Sequence, residues 1–166
     1  MSASSEPCIF AILPGPAGAT AIFFPAAPDR CVVEDLPTLD GRLDVRRLAA
    51  RIAEFAPTLA VIGCASPQPR GSIRENFRGG VAYGAVCSVV ALAGLPVTYA
   101  RASSWKPSYG LDAGPGGRQA ARILARTLFE ASAVRFGDEV ETSRSEAALL
   151  ARWAAAQITS AVTRKG

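Results

Sequence analysis

No histidine occurs anywhere in the 166 residues. That absence removes Ser-His and Cys-His nucleophile pairs, HExxH zinc sites and any imidazole general base. Cysteine is present only as Cys8, Cys31, Cys64 and Cys87, far apart and with no CxxC pair, so a zinc knuckle has no ligand spacing to build on. Buried, reduced thiols are the expected state. Long apolar runs are missing too. The longest, Ala85 to Leu95, carries Ser88 and Gly94 and is too short to span a bilayer. Residues 1–7, with their Ser and Pro, read as a loose leader and 164–166 as a tail; no basic segment ahead of an apolar stretch marks a secretion signal. The expectation is a soluble, cytoplasmic chain with residues 8–163 as one domain.

Lysine is nearly absent as well. Of 18 basic residues only Lys106 and Lys165 are lysines, the rest being arginine, set against 14 acids for a net charge of +4. With a pI near 9.2 the chain is modestly basic, which suits nucleic acid without specifying it. A GC-rich genome would produce the same arginine, alanine, glycine and proline bias.

What is present is a core: apolar residues make up 49% of the chain. Cys8 to Leu13, Ala19 to Phe24 and Cys31 to Leu36 read as three strands joined by Pro/Gly turns, an antiparallel meander. Leu43 to Phe55 reads as a helix with Leu48, Ile52 and Phe55 on its apolar side, Asp44 as N-cap and Pro57 as its stop. Thr58 to Cys64 is a nearly unbroken apolar run, as for a strand covered on both faces. Ile73 to Ala93 reads as a long helix holding Gly79, Gly80 and Gly84, and Pro96 to Ala100 as a short strand. A Gly/Pro-rich stretch, Arg101 to Gly117, precedes helices over 118–129 and about 144–162.

Three places in this order carry a likeness. The first strand and its turn read Ile12-Leu13-Pro14-Gly15 followed by Ala17-Gly18-Ala19. The third strand ends Asp35-Leu36-Pro37-Thr38, Trp105-Lys106 precedes Gly110-Leu111, and the last helix opens Arg144-Ser145-Glu146-Ala147. Together these segments resemble the RuvC-like Holliday junction resolvases, notably the compact phage and prophage type, over most of residues 8–155. The resemblance implies an α/β, RNase H-like fold: a five-stranded mixed sheet flanked by helices.

It also implies a metal site, and here the residues depart from the family. Where the family carries acids, this chain has Leu13 at the end of the first strand, Gly63 at the end of the later strand and Ser143 at the last helix; only Glu146 remains. Two-metal phosphodiester hydrolysis needs converging carboxylates, because magnesium demands hard oxygen ligands and dehydrates reluctantly. One glutamate does not position two ions, and the neighbouring Cys64 is too soft a ligand to replace the rest. The expectation is therefore no catalytic residues, no metal ligands and no cofactor, with Mg2+ required only if Glu34, Asp35 or Asp112 has taken over a ligand position. As a plain reading, Glu146 is a first-turn helix acid favoured by the macrodipole.

Loss of an acidic cluster also removes its repulsion of phosphate, so DNA binding without magnesium is the leading functional expectation. Arg70, Arg74 and Arg78 form one ladder with a spacing of four, Arg118, Arg122 and Arg126 another, and Trp105 with Lys106 flanks the same region. Solvated helix faces explain the ladders equally, and a structural anchor explains Trp105. The Gly114-Pro115-Gly116-Gly117 segment reads as a flexible linker rather than a phosphate loop. A second expectation is a protein-interaction or assembly scaffold, including a homodimer through the glycine-bearing helix Ile73 to Ala93. A still active Mg-dependent DNA endonuclease stands third.

Overall fold

In the computed structural model the described residues are 6–112, 115–137 and 143–163. Residues 1–5 of the expected leader, Gly114 of the Gly-Pro-Gly-Gly segment and the expected tail, 164–166, lie outside them. Strands β1 (Ile9–Leu13), β2 (Ala19–Phe23) and β3 (Cys31–Asp35) form the antiparallel meander. The β1–β2 turn closes through the Gly18 N–H donating to the Gly15 carbonyl at 3.0 Å. Gly15 has φ +145°, and a Cβ at Gly18 would lie 2.9 Å from that same carbonyl oxygen, so this Pro-Gly turn depends on both glycines.

A two-stranded hairpin follows, β4 (Thr38–Leu39) and β5 (Arg42–Leu43), which the strand reading did not anticipate. Its signal is the Asp40-Gly41 pair, at φ 50° and 72°, the positive-φ dipeptide that a two-residue hairpin turn requires. Helix α1 (Val45–Phe55) begins two residues later than expected, because the Asp44 side chain accepts from the Arg47 N–H at 3.0 Å. It ends at Ala56, in the left-handed region ahead of Pro57. Strand β6 (Leu59–Gly63) then pairs parallel with β1.

Helix α2 (Ile73–Leu92) opens on a capping box in which Ser72 and Glu75 satisfy each other's backbone N–H. Strand β7 (Val97–Ala100) pairs parallel with β6 and completes a sheet of order β3-β2-β1-β6-β7. The Gly/Pro-rich stretch is more ordered than its composition suggested. It holds a short helix α3 (Ala102–Trp105) and a 3-10 turn over Lys106–Tyr109. Helix α4 (Pro115–Leu128) starts three residues earlier than expected, with proline at its first position, where no N–H is needed. A further 3-10 segment, Glu130–Phe136, leads toward α5 (Ser143–Thr163).

Alternation along the strands divides the core between two faces. Ile9, Ala11 and Val61 belong to the cluster that includes Ala121 and Ala125 of α4 and Leu149 and Leu150 of α5. Phe10, Ile12 and Ile62 belong to the cluster with Leu48 and Ile52 of α1 and Val86 and Val90 of α2. Burial on both sides explains why β1 and β6 read as unbroken apolar runs. Ala147, Ala148, Ala151 and Ala154 are all buried on α5, their small side chains letting the helix lie close on the sheet. The four cysteines are free, Cys8 and Cys31 buried and the other two half-buried. Among the described residues, no helix is long and apolar enough to cross a membrane.

Candidate functional site

The C-terminal ends of β1 and β6 lie side by side at the centre of the sheet, where α5 crosses them. By strand alternation Leu13 shares a face with Ile9 and Ala11, and Gly63 shares that face with Val61, so both residues point toward α5. Their contact is tight. A Cβ built on Gly63 would lie 2.5 Å from Leu13 Cδ2 and 3.7 Å from Leu150 Cδ2. The leucine side chain thus fills the space into which any side chain at position 63 would project.

One turn before Leu150 on α5 stands Glu146, and its carboxylate is engaged. The Lys106 ammonium donates to Glu146 Oε1 at 2.7 Å, with the two side chains only 13% and 17% exposed. Trp105 and Tyr109 fix the lysine from either side in sequence. Trp105 is 2% exposed and meets Tyr109 edge-on at 6.4 Å, while the Lys106 Nζ lies 5.6 Å from the indole centroid. The Tyr109 hydroxyl donates to the Leu149 carbonyl at 3.1 Å, and burial pushes the phenol up to about 12. Ser143 sits at the N-terminal end of α5, partly exposed.

These residues do not fit a pair of divalent cations. Leu13 and Gly63 offer no donor, Glu146 is already bonded to a cation, and no three His, Cys, Asp or Glu side chains among the described residues are grouped to hold a metal. The acids considered as relocated ligands are committed elsewhere or open to solvent. Glu34 accepts from Arg51 at 2.6 and 2.9 Å, Asp35 is paired in a fork with Arg144, and Asp112 is exposed ahead of α4.

The predicted DNA contacts divide. Trp105 is an internal anchor, too buried to offer a ring face to a base, and Lys106 is held by Glu146 rather than free for a phosphate. Arg70, Arg74 and Arg78 are exposed, and the first two carry no ion pair among the described residues. Their segment is fixed by Asn76, whose side chain accepts from the Gln68 N–H at 2.7 Å and donates to the carbonyls of Gln68 and Gly71. That lock on the β6–α2 loop was not read from the sequence, though an Asn one turn inside a capped helix is a residue type suited to it. On α4, Arg118 is exposed and Arg122 donates to Gln119 at 3.1 Å.

A five-stranded mixed sheet in this order, with α1 and α2 on one face and α4 and α5 on the other, is the RNase H-like fold. Within that class the chain is similar in structure to RuvC of T. thermophilus in complex with a Holliday junction substrate, at TM-score 0.64 and 15% identity over 89% of this chain and 91% of that one. Thermus thermophilus RuvC on its own gives TM-score 0.60 and 16% identity over 92% and 96%. The yeast mitochondrial Holliday junction resolvase Ydc2 gives 0.53 and 12% over 90% and 81%. At these identities the likeness establishes the fold. The sequence matches no protein-family model and no curated protein.

Proposed function

We propose that this chain binds nucleic acid, branched or duplex DNA, on a RuvC-like scaffold without cutting it by the two-metal route, residues 8–163 acting as one domain. The observation that carries the reading is the filled corner, with Leu13 lodged where a side chain at position 63 would go and Glu146 neutralised by Lys106. Among the described residues the corner is apolar and its carboxylate, Glu146, is paired with Lys106, which weakens the repulsion of a phosphate backbone and lets DNA approach without a metal. Arg70, Arg74 and Arg78, carried by the loop and helix that leave β6, supply the cationic surface, with Arg118 as a second point of contact. A gel-shift titration in EDTA tests this. Binding that weakens steeply as salt rises is the expected result, and no complex at low salt would refute it.

A second reading, a homodimer or assembly scaffold, is favoured by one specific surface. Phe77 and Val81 on α2 are exposed, and a Cβ at Gly80 or Gly84 would meet nothing within 4 Å. That apolar strip, with Gly80 and Gly84 beside the exposed Phe77 and Val81 side chains, lets a second helix approach closely. Light scattering on wild type and Val81→Glu separates the readings: a dimer lost in the variant supports assembly, and a monomer in both removes it.

A further inference from the structure

We propose that the groove between α1 and the C-terminal end of α2 docks an amphipathic helix of another protein, one that carries acidic residues where it meets Arg46. This function is separate from the DNA reading and uses none of its residues. The groove has a volume of about 690 Å3, with Val45, Ala49, Ala53 and Ala56 of α1 along one side and Val89 and Leu92 of α2 along the other. A surface helix ordinarily turns polar side chains to solvent. Here α1 exposes alanine on three successive turns, at positions 49, 53 and 56, and Leu92 opposite them is 89% exposed. The small side chains let another backbone come close, and two helices flanking a trough offer ridges for a third to pack between. Because these residues are open to solvent along the groove, the site suits an occupant that brings its own outer face, as a helix does, better than a small ligand that needs enclosing.

Charge identifies the occupant further. Arg46 is the one ionisable residue lining the groove among the described residues, and it continues into a shallower depression shared with Arg42. Of the two acids in that depression, Asp44 is spent on capping α1, which leaves Asp40 against Arg42 and Arg46. The first turn of α1 holds no acid and two arginines, Arg46 and Arg47. Cations there oppose the helix dipole, a local cost that a bound anion offsets. Arg42, Arg46 and Arg47 are all exposed and carry no ion pair among the described residues. At the far end of the groove α1 and α2 terminate at Ala56 and Ala93 with no basic residue in either last turn, so the positive charge is confined to one end. A second copy of this chain brings the wrong sign, since its own exposed strip at Phe77 and Val81 is flanked by Arg74 and Arg78.

The test is fluorescence anisotropy of the full chain with labelled helical peptides of about 14 residues, enough to run the length of α1. All carry leucines on one face; two have a glutamate block, one at each end, and a third has lysines in its place. The better of the glutamate peptides is expected to bind wild type about tenfold tighter than the lysine peptide. Arg46→Glu is expected to reverse that order and to melt no lower than wild type, because an acid in the first turn suits the helix dipole. Ala53→Glu, a change at an exposed position, is expected to weaken every peptide about tenfold by placing a charge in the trough, and to leave the gel shift with DNA unchanged. No saturation by either glutamate peptide at about 1 mM overturns the proposal, as does equal binding of glutamate and lysine peptides or full binding by Ala53→Glu. So does an occupant of another kind: phosphatidylserine vesicles or laurate held through Ala53 where the peptides are not, or a wild-type dimer in light scattering that Ala53→Glu dissolves. If Arg46→Glu weakens DNA binding and spares the peptides, Arg46 belongs to the DNA surface and the proposal falls, while the DNA reading stands.

Discussion

Replacing Gly63 with alanine places a methyl group 2.5 Å from Leu13 Cδ2, well inside van der Waals contact. Leu13 is half-buried, so its side chain has some freedom to withdraw, but Leu150 bounds the same space. Overpacking of this kind costs roughly 1–3 kcal/mol, offset by about 0.5–1 kcal/mol gained when a strand glycine becomes alanine. The net expectation for Gly63→Ala is a destabilisation of about 1 kcal/mol. Leu13→Ala, which removes a partly buried side chain, should cost about 1.5 kcal/mol. If the two residues were independent, the double variant would lose the sum. Because Leu13→Ala removes the atom that the new methyl strikes, the double variant should instead lose only about 1 kcal/mol, a coupling of about 1.5 kcal/mol. Urea denaturation of the four proteins measures this, with equal slopes confirming that midpoint shifts report stability. Additivity within about 0.5 kcal/mol would refute the packing argument.

Gly117→Ala should be more damaging than Gly63→Ala. Its Cβ would run into the Asp112 carbonyl, backbone that has no flexible end to move aside, and a loss of about 3 kcal/mol or more in the same urea assay is expected. The Tyr109 phenol predicts a weakening at high pH. Its pKa is raised by burial from 10.0 to about 12, so its stabilising contribution is complete below pH 10 and falls away as pH rises through about 12; Tyr109→Phe should lose less stability than wild type across that window. Arg70→Gln and Arg74→Gln should each weaken DNA binding to a similar degree on any sequence, and each should reduce the slope of log affinity against log salt by about 1.

Much of the scaffold was legible because it rests on local chemistry. The Pro-Gly turn after β1, the Asp44 cap and the apolar runs of β1 and β6 each state their own structure. The β4–β5 hairpin was equally legible, since Asp40-Gly41 is a strong turn signal, but its strands are only two residues each and fall below any periodicity. The Arg101–Gly117 stretch was placed only by its glycine and proline content and its Gly114–Gly117 end read as a flexible linker, whereas α4 begins at Pro115. Proline is welcome at the start of a helical turn, and buried Trp105, not glycine content, decides how that stretch docks. In the candidate site, the identities of Leu13, Gly63 and Glu146 were readable, while what they touch was not. The Lys106–Glu146 and Asp35–Arg144 pairs join residues 40 and 109 apart, and no pattern along the chain encodes such meetings. Trp105 and Lys106 were therefore offered to DNA from position alone, when folding turns both toward the protein.

The most direct measurement is the cleavage of a labelled four-way DNA junction by wild type and Glu146→Gln, in EDTA and in Mg2+ or Mn2+. The account predicts intact DNA in every lane, with the junction still retained on a native gel in EDTA. Strand scission by wild type that needs the divalent ion and disappears in Glu146→Gln would contradict it.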